Sequence, residues 1–322
     1  METNYSICLG TAGWGVWHSP NAGESWLRHR RPFPLNSRIQ VLAAHPKDPR
    51  SVFAAGDTGL FFSEDGGAHW ERRGNQGDLP TIWTLAVDPV DPNILFAGTR
   101  PSGVWRSLDG GRNWEKLNVG IAPECSIGET FVTAIVVDPD DHRIVWVGVE
   151  IDGVYRSKDG GDTWTHLQNG LFDPDVHDMT IVRTEPKRLF VSTAGEMFLS
   201  DDLGDTWHPI GTKEKWPLPY ARGMATKPDD AGVLYAGCGE HTTGEKGHVL
   251  RTKDFGQRWE VLPFPTPANA TIWGLATHPA DANRIVAYTL FGEVFVSDNA
   301  GASWRKIRRD FGEIRSAVWL PN

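Results

Sequence analysis

Ser157-Lys158-Asp159-Gly160-Gly161-Asp162-Thr163-Trp164 carries the pattern that decides the fold, a hydroxyl residue followed by Asp, Gly and Trp at fixed offsets. The glycine suits a turn with positive φ, and the Asp carboxylate can accept hydrogen bonds from turn amides. The pattern Ser/Thr-x-Asp/Asn-x-Gly-x-x-Trp recurs at Ser19–Trp26, Ser63–Trp70, Ser107–Trp114, Ser200–Trp207, Thr252–Trp259 and Ser297–Trp304. Successive Trp lie 44, 44, 50, 43, 52 and 45 residues apart. A repeat in the forties is the size of a four-stranded propeller blade.

Each repeat reads as four strands. In the second they are Ile82–Val87 ending at the turn Asp88-Pro89, then Ile94–Gly98, Gly103–Ser107 and Trp114–Leu117. The motif is the hairpin between strands three and four, and its Trp packs between sheets, which accounts for seven of the fifteen Trp. The chain opens on three strands, Ile7–Gly10, Gly15–Ser19 and Trp26–His29, and ends on an orphan first strand, Ile314–Leu320. Pairing these ends removes both sheet edges. The expectation is an all-β protein, a seven-bladed β-propeller of four-stranded antiparallel blades closed by the C-terminal strand. The whole chain, 1–322, is expected to form one domain. Its blades would span 37–75, 81–118, 131–168, 176–211, 220–262, 271–308, and 314–322 plus 5–30.

The seven motifs resemble the Asp-box of BNR-repeat propellers, a family with sialidase-like, sortilin-like and photosystem II assembly factor-like members. The resemblance covers nearly the whole chain and implies architecture rather than activity. It also implies that the Asp-box turns lie on the periphery, away from any active site. Sialidases are similar in their Asp-boxes but have six blades, a Tyr nucleophile and an Arg-Ile-Pro motif, which this chain lacks. Xyloglucanase-like members place catalytic Asp residues between two propellers, and only one propeller is present here.

Charge and cysteine content exclude several classes. A net charge of −9 without a Lys/Arg stripe argues against nucleic acid. Three Cys without CxxC spacing argue against a disulfide framework and fit a reducing compartment. Met1-Glu2-Thr3-Asn4-Tyr5 has neither a basic nor an apolar leader region, and no stretch approaches 18 apolar residues. A cytoplasmic protein without a membrane partner is expected.

Aligning the seven first strands exposes a position of mixed chemistry. Ile39, Ile82, Val132, Val176, Ala221, Ile272 and Ile314 form one apolar set. Leu42, Leu85, Ile135, Met179, Met224, Leu275 and Ala317, three residues on, form another. Directly after the first set come Gln40, Trp83, Thr133, His177, Arg222, Trp273 and Arg315. This ring is expected at the entrance of the central channel. Two lengthened loops belong to the same face. One is Cys238–His248 with Glu240 and His241, and the other carries Glu124, Cys125 and Glu129.

These residues suggest roles. Trp83 and Trp273, helped by Trp14 and Trp216, suit stacking on a sugar or aromatic ring. Arg222 and Arg315, with Arg38 and Arg100, suit a carboxylate, or else pair with Glu313, Asp310 or Asp178. Gln40 and Tyr220 complete the binding set. Glu150, His177 and Glu129 are the acid–base candidates, with Glu150 expected to face His177. No cofactor is expected. A divalent ion on His177, His241 and His248 is the alternative, without tight ligand spacing to support it. His45 and His278, each before Pro, read as turn residues.

Two functions are open on this reading. One is an enzyme, a hydrolase (glycoside hydrolase-like) or lyase, acting on a small-molecule or carbohydrate ligand that is sugar-like or aromatic and carries negative charge. The other is a non-catalytic scaffold for a protein partner.

Overall fold

In the computed structural model, residues 5–75, 77, 79–126 and 128–322 are described; Met1–Asn4, read above for targeting features, lie outside them. The protein is a seven-bladed β-propeller of four-stranded antiparallel sheets. The second blade has strands Thr81–Val87, Leu95–Arg100, Gly103–Ser107 and Glu115–Leu117, paired in sequence order. The last sheet is ordered Leu27–Arg28, Gly15–Ser19, Tyr5–Thr11 and Ile314–Pro321, so the chain's last strand joins its first three. The final Asn322 accepts a hydrogen bond from Ser6 Oγ (2.7 Å) and donates to Pro20 O (3.0 Å).

Two compact units divide these residues. The first runs to Leu167 and includes Leu320–Asn322; the second is Gln168–Trp319. Blades one to three lie in the first, and blades four to six in the second.

The Asp-box is a turn whose side chains are used up by its own backbone. Ser107 Oγ donates to Asp109 Oδ1 (2.9 Å) and accepts the Gly111 N–H (2.9 Å). Asp109 Oδ1 also accepts the Asn113 N–H (2.9 Å), and the Trp114 indole donates to Gly111 O (3.2 Å). Because the indole folds back onto the turn, the fourth strand begins after the Trp and not at it. Each such bond contributes about 1 kcal/mol. Two residues in a row take positive φ, Gly110 and Gly111 here, and Ala300 and Gly301 in blade six. The second must be glycine for another reason as well. A Cβ on Gly111 would lie 2.4 Å from Leu60 Cδ2 of the preceding blade. The exception to the pattern is Trp207, whose buried indole N–H has no partner.

The turns after the first strands follow the sequence reading. Asp88 Oδ1 accepts the N–H groups of Val90 and Asp91, and His45 Nδ1 accepts those of Lys47 and Asp48. His278 Nδ1 accepts the Ala280 N–H in the same way. The first apolar set is buried in every blade, from Ile39 to Ile314. In the second set, Leu42, Leu85, Met179, Met224 and Ala317 are buried, while Ile135 and Leu275 are half-buried.

Candidate functional site

Burial of both apolar sets poses a problem, because strand residues three apart point to opposite faces. The pairing resolves it. In six blades the register between first and second strands slips by one residue just after the first apolar position. The extra residue is Gln40, Trp83, Thr133, His177, Trp273 or, in blade five, Arg222 together with Gly223. The mixed position is thus a β-bulge, which frees one side chain from the ladder and re-aims it.

In the second unit, two arginines from the mixed positions lie over the bulge residue Trp273. The Arg222 guanidinium carbon lies 3.8 Å from the indole centroid, and that of Arg315 lies 5.4 Å from it. Arg315 is ion-paired with Glu313. Among the described residues, the half-buried Arg222 guanidinium has no ion-pair or hydrogen-bond partner beyond its stacking on Trp273. Side chains from neighbouring second strands brace the backbone at both arginines. Ser192 Oγ donates to Arg222 O (2.7 Å), and Tyr288 Oη donates to Arg315 O (3.1 Å). Tyr288 reaches that carbonyl through space that a side chain at Gly274 would fill, since a Cβ there would lie 2.2 Å from its hydroxyl.

His177 is buried, with Nδ1 2.8 Å from Ala221 O and Nε2 3.6 Å from Asp175 Oδ2. Burial, and secondarily the Arg222 charge, lower its pKa, so the imidazole is neutral around pH 7. Nδ1 is thus engaged by the backbone that begins the next blade's bulge, and Nε2 by Asp175. The Tyr220 ring lies 5.0 Å from the imidazole, and the Tyr220 hydroxyl shares a hydrogen bond with Thr242 Oγ1 (3.0 Å). Asp178, considered from sequence only as a partner for arginine, has its carboxyl pushed up to about 6 by burial, against two backbone N–H bonds and the Arg222 charge.

In the first unit, Trp83 packs on Phe131 with ring centroids 4.5 Å apart. Arg100 covers both rings, 4.8 Å from Phe131 and 5.8 Å from Trp83. Thr133 Oγ1 donates to Gly148 O (3.2 Å), and Gln40 is half-buried. The Arg38 N–H donates to Asp57 Oδ1 (2.9 Å). Glu150 is half-buried, and its N–H donates to Phe131 O (3.0 Å). Glu129 is exposed on a small hairpin, Glu124–Cys125 with Gly128–Glu129, directly opposite Glu124.

Three expectations need correction. Trp216 is no ligand wall; it is buried edge-on against Trp259, 5.0 Å away, in the core of the fifth blade. Trp14 is half exposed but already covered by Arg28, whose guanidinium lies 4.5 Å away. His177, His241 and His248 do not form a metal centre. Among the described residues no three His, Cys, Asp or Glu side chains gather to hold an ion. His241 is exposed, whereas His248 lies within a strand opposite Cys238, whose thiol is pushed up to about 12 by burial.

With this geometry established, known proteins offer three points of comparison. A family model described as "Sortilin, neurotensin receptor 3" matches residues 152–263. The xyloglucanase Xgh74A of Acetivibrio thermocellus is 25% identical over 91% of this chain. Solved propellers share the fold, including a GH74 xyloglucanase from Xanthomonas campestris at TM-score 0.70 and 21% identity, over 94% of this chain and 52% of that one. YCF48 bound to D1 peptide matches at TM-score 0.61 and 14% identity, over 93% of this chain and 87% of that one.

The chain is a seven-bladed β-propeller with Asp-box turns, similar to the sortilin family model over residues 152–263.

Its relatives include both hydrolases and propellers that bind proteins. The chain spans about a third of the length of Xgh74A, 35%, and 14% of the xyloglucanase of Hypocrea jecorina. Among the described residues of this propeller, no helix is long and apolar enough to cross a membrane.

Proposed function

We propose that this propeller binds a small anionic ligand with a sugar-like or aromatic ring, received on the bulges of its second unit. The observation that carries the reading is Arg222, a half-buried guanidinium stacked on Trp273 that makes no ion pair or hydrogen bond among the described residues. A cation partly removed from water and left unpaired is unfavourable unless an anion completes it. Trp273 offers the ligand an apolar face, and Arg315 adds charge beside it. Apolar walls with a few convergent polar groups are the common form of a ligand site. A thermal-shift screen of sugar acids and aromatic carboxylates tests this. A hit should raise the melting temperature of the wild type and leave Arg222→Ala and Trp273→Ala unmoved. Equal shifts in all three proteins refute the site.

A second reading, hydrolysis of a glycoside, is favoured by the xyloglucanase match across 91% of the chain. The carboxyls of the second unit support it poorly. Glu313 is engaged by Arg315, Asp175 faces His177, and Asp178 is taken by backbone N–H groups. Release of reducing sugar from xyloglucan oligosaccharides, lost in Glu150→Gln or Glu129→Gln, establishes hydrolysis by these carboxylates; release unaffected by either change excludes them from the chemistry, and no release leaves binding as the function.

A further inference from the structure

The residue after each mixed position is Val41, Thr84, Ala134, Asp178, Gly223, Gly274 or Ser316. Only Asp178 can ionise there, and its placement is specific. Oδ1 accepts the N–H of Met179 on its own strand (2.8 Å), and Oδ2 accepts the N–H of Met224 on the neighbouring first strand (2.7 Å). Met224 closes the register slip that contains Arg222 and Gly223. The carboxyl is therefore fastened to the backbone segment that presents the unpaired guanidinium.

The charged and titratable groups acting around it come from several strands. Arg222 acts on it from Tyr220–Lys227. Tyr288 faces it from Ile285–Thr289, and its hydroxyl is made harder to ionise by burial and then by Asp178, against Arg222 and Arg315. On its own strand the neighbour is His177, neutral for the reason given above.

We propose that Asp178 is the positioning residue of the anion site and sets its affinity through its own protonation. Its oxygens hold the Arg222 bulge through backbone N–H bonds, and in the neutral state it leaves the guanidinium charge to the ligand. Ionised, it adds a negative charge beside the ligand's anionic group. This inference rests on the anion-binding reading proposed above. The sign follows from linkage. Burial places the carboxyl near 6 in the free protein, so it loses its proton as pH rises from 5 to 7.5. A bound anion makes that loss harder, and by reciprocity the loss weakens the anion. One added charge at short range in a half-buried site changes affinity by roughly tenfold. In a blade with Val41 or Ala134 at this position the bulge has no such control.

The test uses benzenesulfonate, an aromatic anion whose charge is constant between pH 5 and 8, titrated into the wild type, Arg222→Met and Asp178→Asn. Binding is read by ligand-observed NMR, and the Asp178 carboxyl carbon is followed by pH titration without ligand. The expected result is binding about tenfold tighter at pH 5 than at pH 7.5 in the wild type, no such pH dependence in Asp178→Asn, and no binding in Arg222→Met. The carboxyl should titrate near pH 6 and move upward in Arg222→Met. That measurement is independent of any unfolding of Asp178→Asn. Binding that depends on Arg222 but is equal at both pH values overturns the role of Asp178 and leaves the site intact. So does a carboxyl that titrates below 4.5 or ignores Arg222→Met. Absence of Arg222-dependent binding at pH 5 removes the anion site, and the role of Asp178 with it.

Discussion

The Asp-box turns and the first-strand bulges are both repeated structures, yet one is chemically uniform and the other is not. In the turn the polar atoms are spent locally, the Trp207 indole N–H excepted. Ser63, Asp65 and Gly67 repeat the bonds of Ser107, Asp109 and Gly111, and the indole of Trp70 closes onto Gly67 O at 3.0 Å. Residue type is fixed because the backbone conformation needs it. The bulge needs only an extra residue. Its side chain leaves the ladder, so the fold places no demand on its chemistry, and Gln40, Trp83, Arg222 and Trp273 can differ.

Aspartate makes the same contrast sharper. Asp109 is held down at about 2, first by the Asn113 backbone N–H and then by the Asn113 side chain. Asp178, also bonded to two N–H groups, is pushed up to about 6 because burial outweighs them. The turn carboxylate stabilises the fold above the unfolded pKa and loses that contribution as pH falls toward 2. The bulge carboxyl behaves oppositely: stability is fullest below the unfolded value of 3.8 and is lost as pH rises through 6.

The largest expected effect lies in the turn. Gly111→Ala places a Cβ at φ +86 and against Leu60, and should cost about 2–4 kcal/mol in urea unfolding. Trp273→Ala, at a half-buried bulge, should cost clearly less. If the two losses are equal, the distinction between spent and freed side chains breaks down. Next in size is the stability of Asp178→Asn relative to wild type. It should improve between pH 4 and pH 7 by roughly 2 kcal/mol, following the difference between 3.8 and about 6. A pH-independent difference means that Asp178 is not strained by ionisation. The smallest effect sharpens the turn itself. Ala300 holds φ +55, where blades one to three have glycine at Gly66, Gly110 and Gly160. Ala300→Gly should therefore raise the melting temperature, by relief of about 1 kcal/mol offset in part by added chain entropy. A fall in melting temperature shows that the left-handed alanine is not strained.

Much of this was legible beforehand. The Trp spacing gives the blades, and the orphan strands at the two ends give the closing sheet. Even the bulge left a trace, since two apolar sets three residues apart cannot share a face of a regular strand. Ile39 and Leu42 both reach the core because Gln40 is the extra residue. The site was less legible. Trp83 and Trp273 look alike in sequence, but one is packed on Phe131 and the other faces an unpaired Arg222. Trp216 was misplaced because a loop position does not reveal its burial against Trp259.

The sequence alone determined the repeat, its turn chemistry and the odd position in each first strand, because local backbone geometry and strand periodicity act over a few residues. Only the tertiary structure decided which odd side chains remain available. Whether a guanidinium lacks a counter-ion, or a carboxyl is buried deeply enough to hold its proton near neutrality, depends on groups far away in the chain, as with Asp178 and its neighbours Met224 and Tyr288, 46 and 110 residues on.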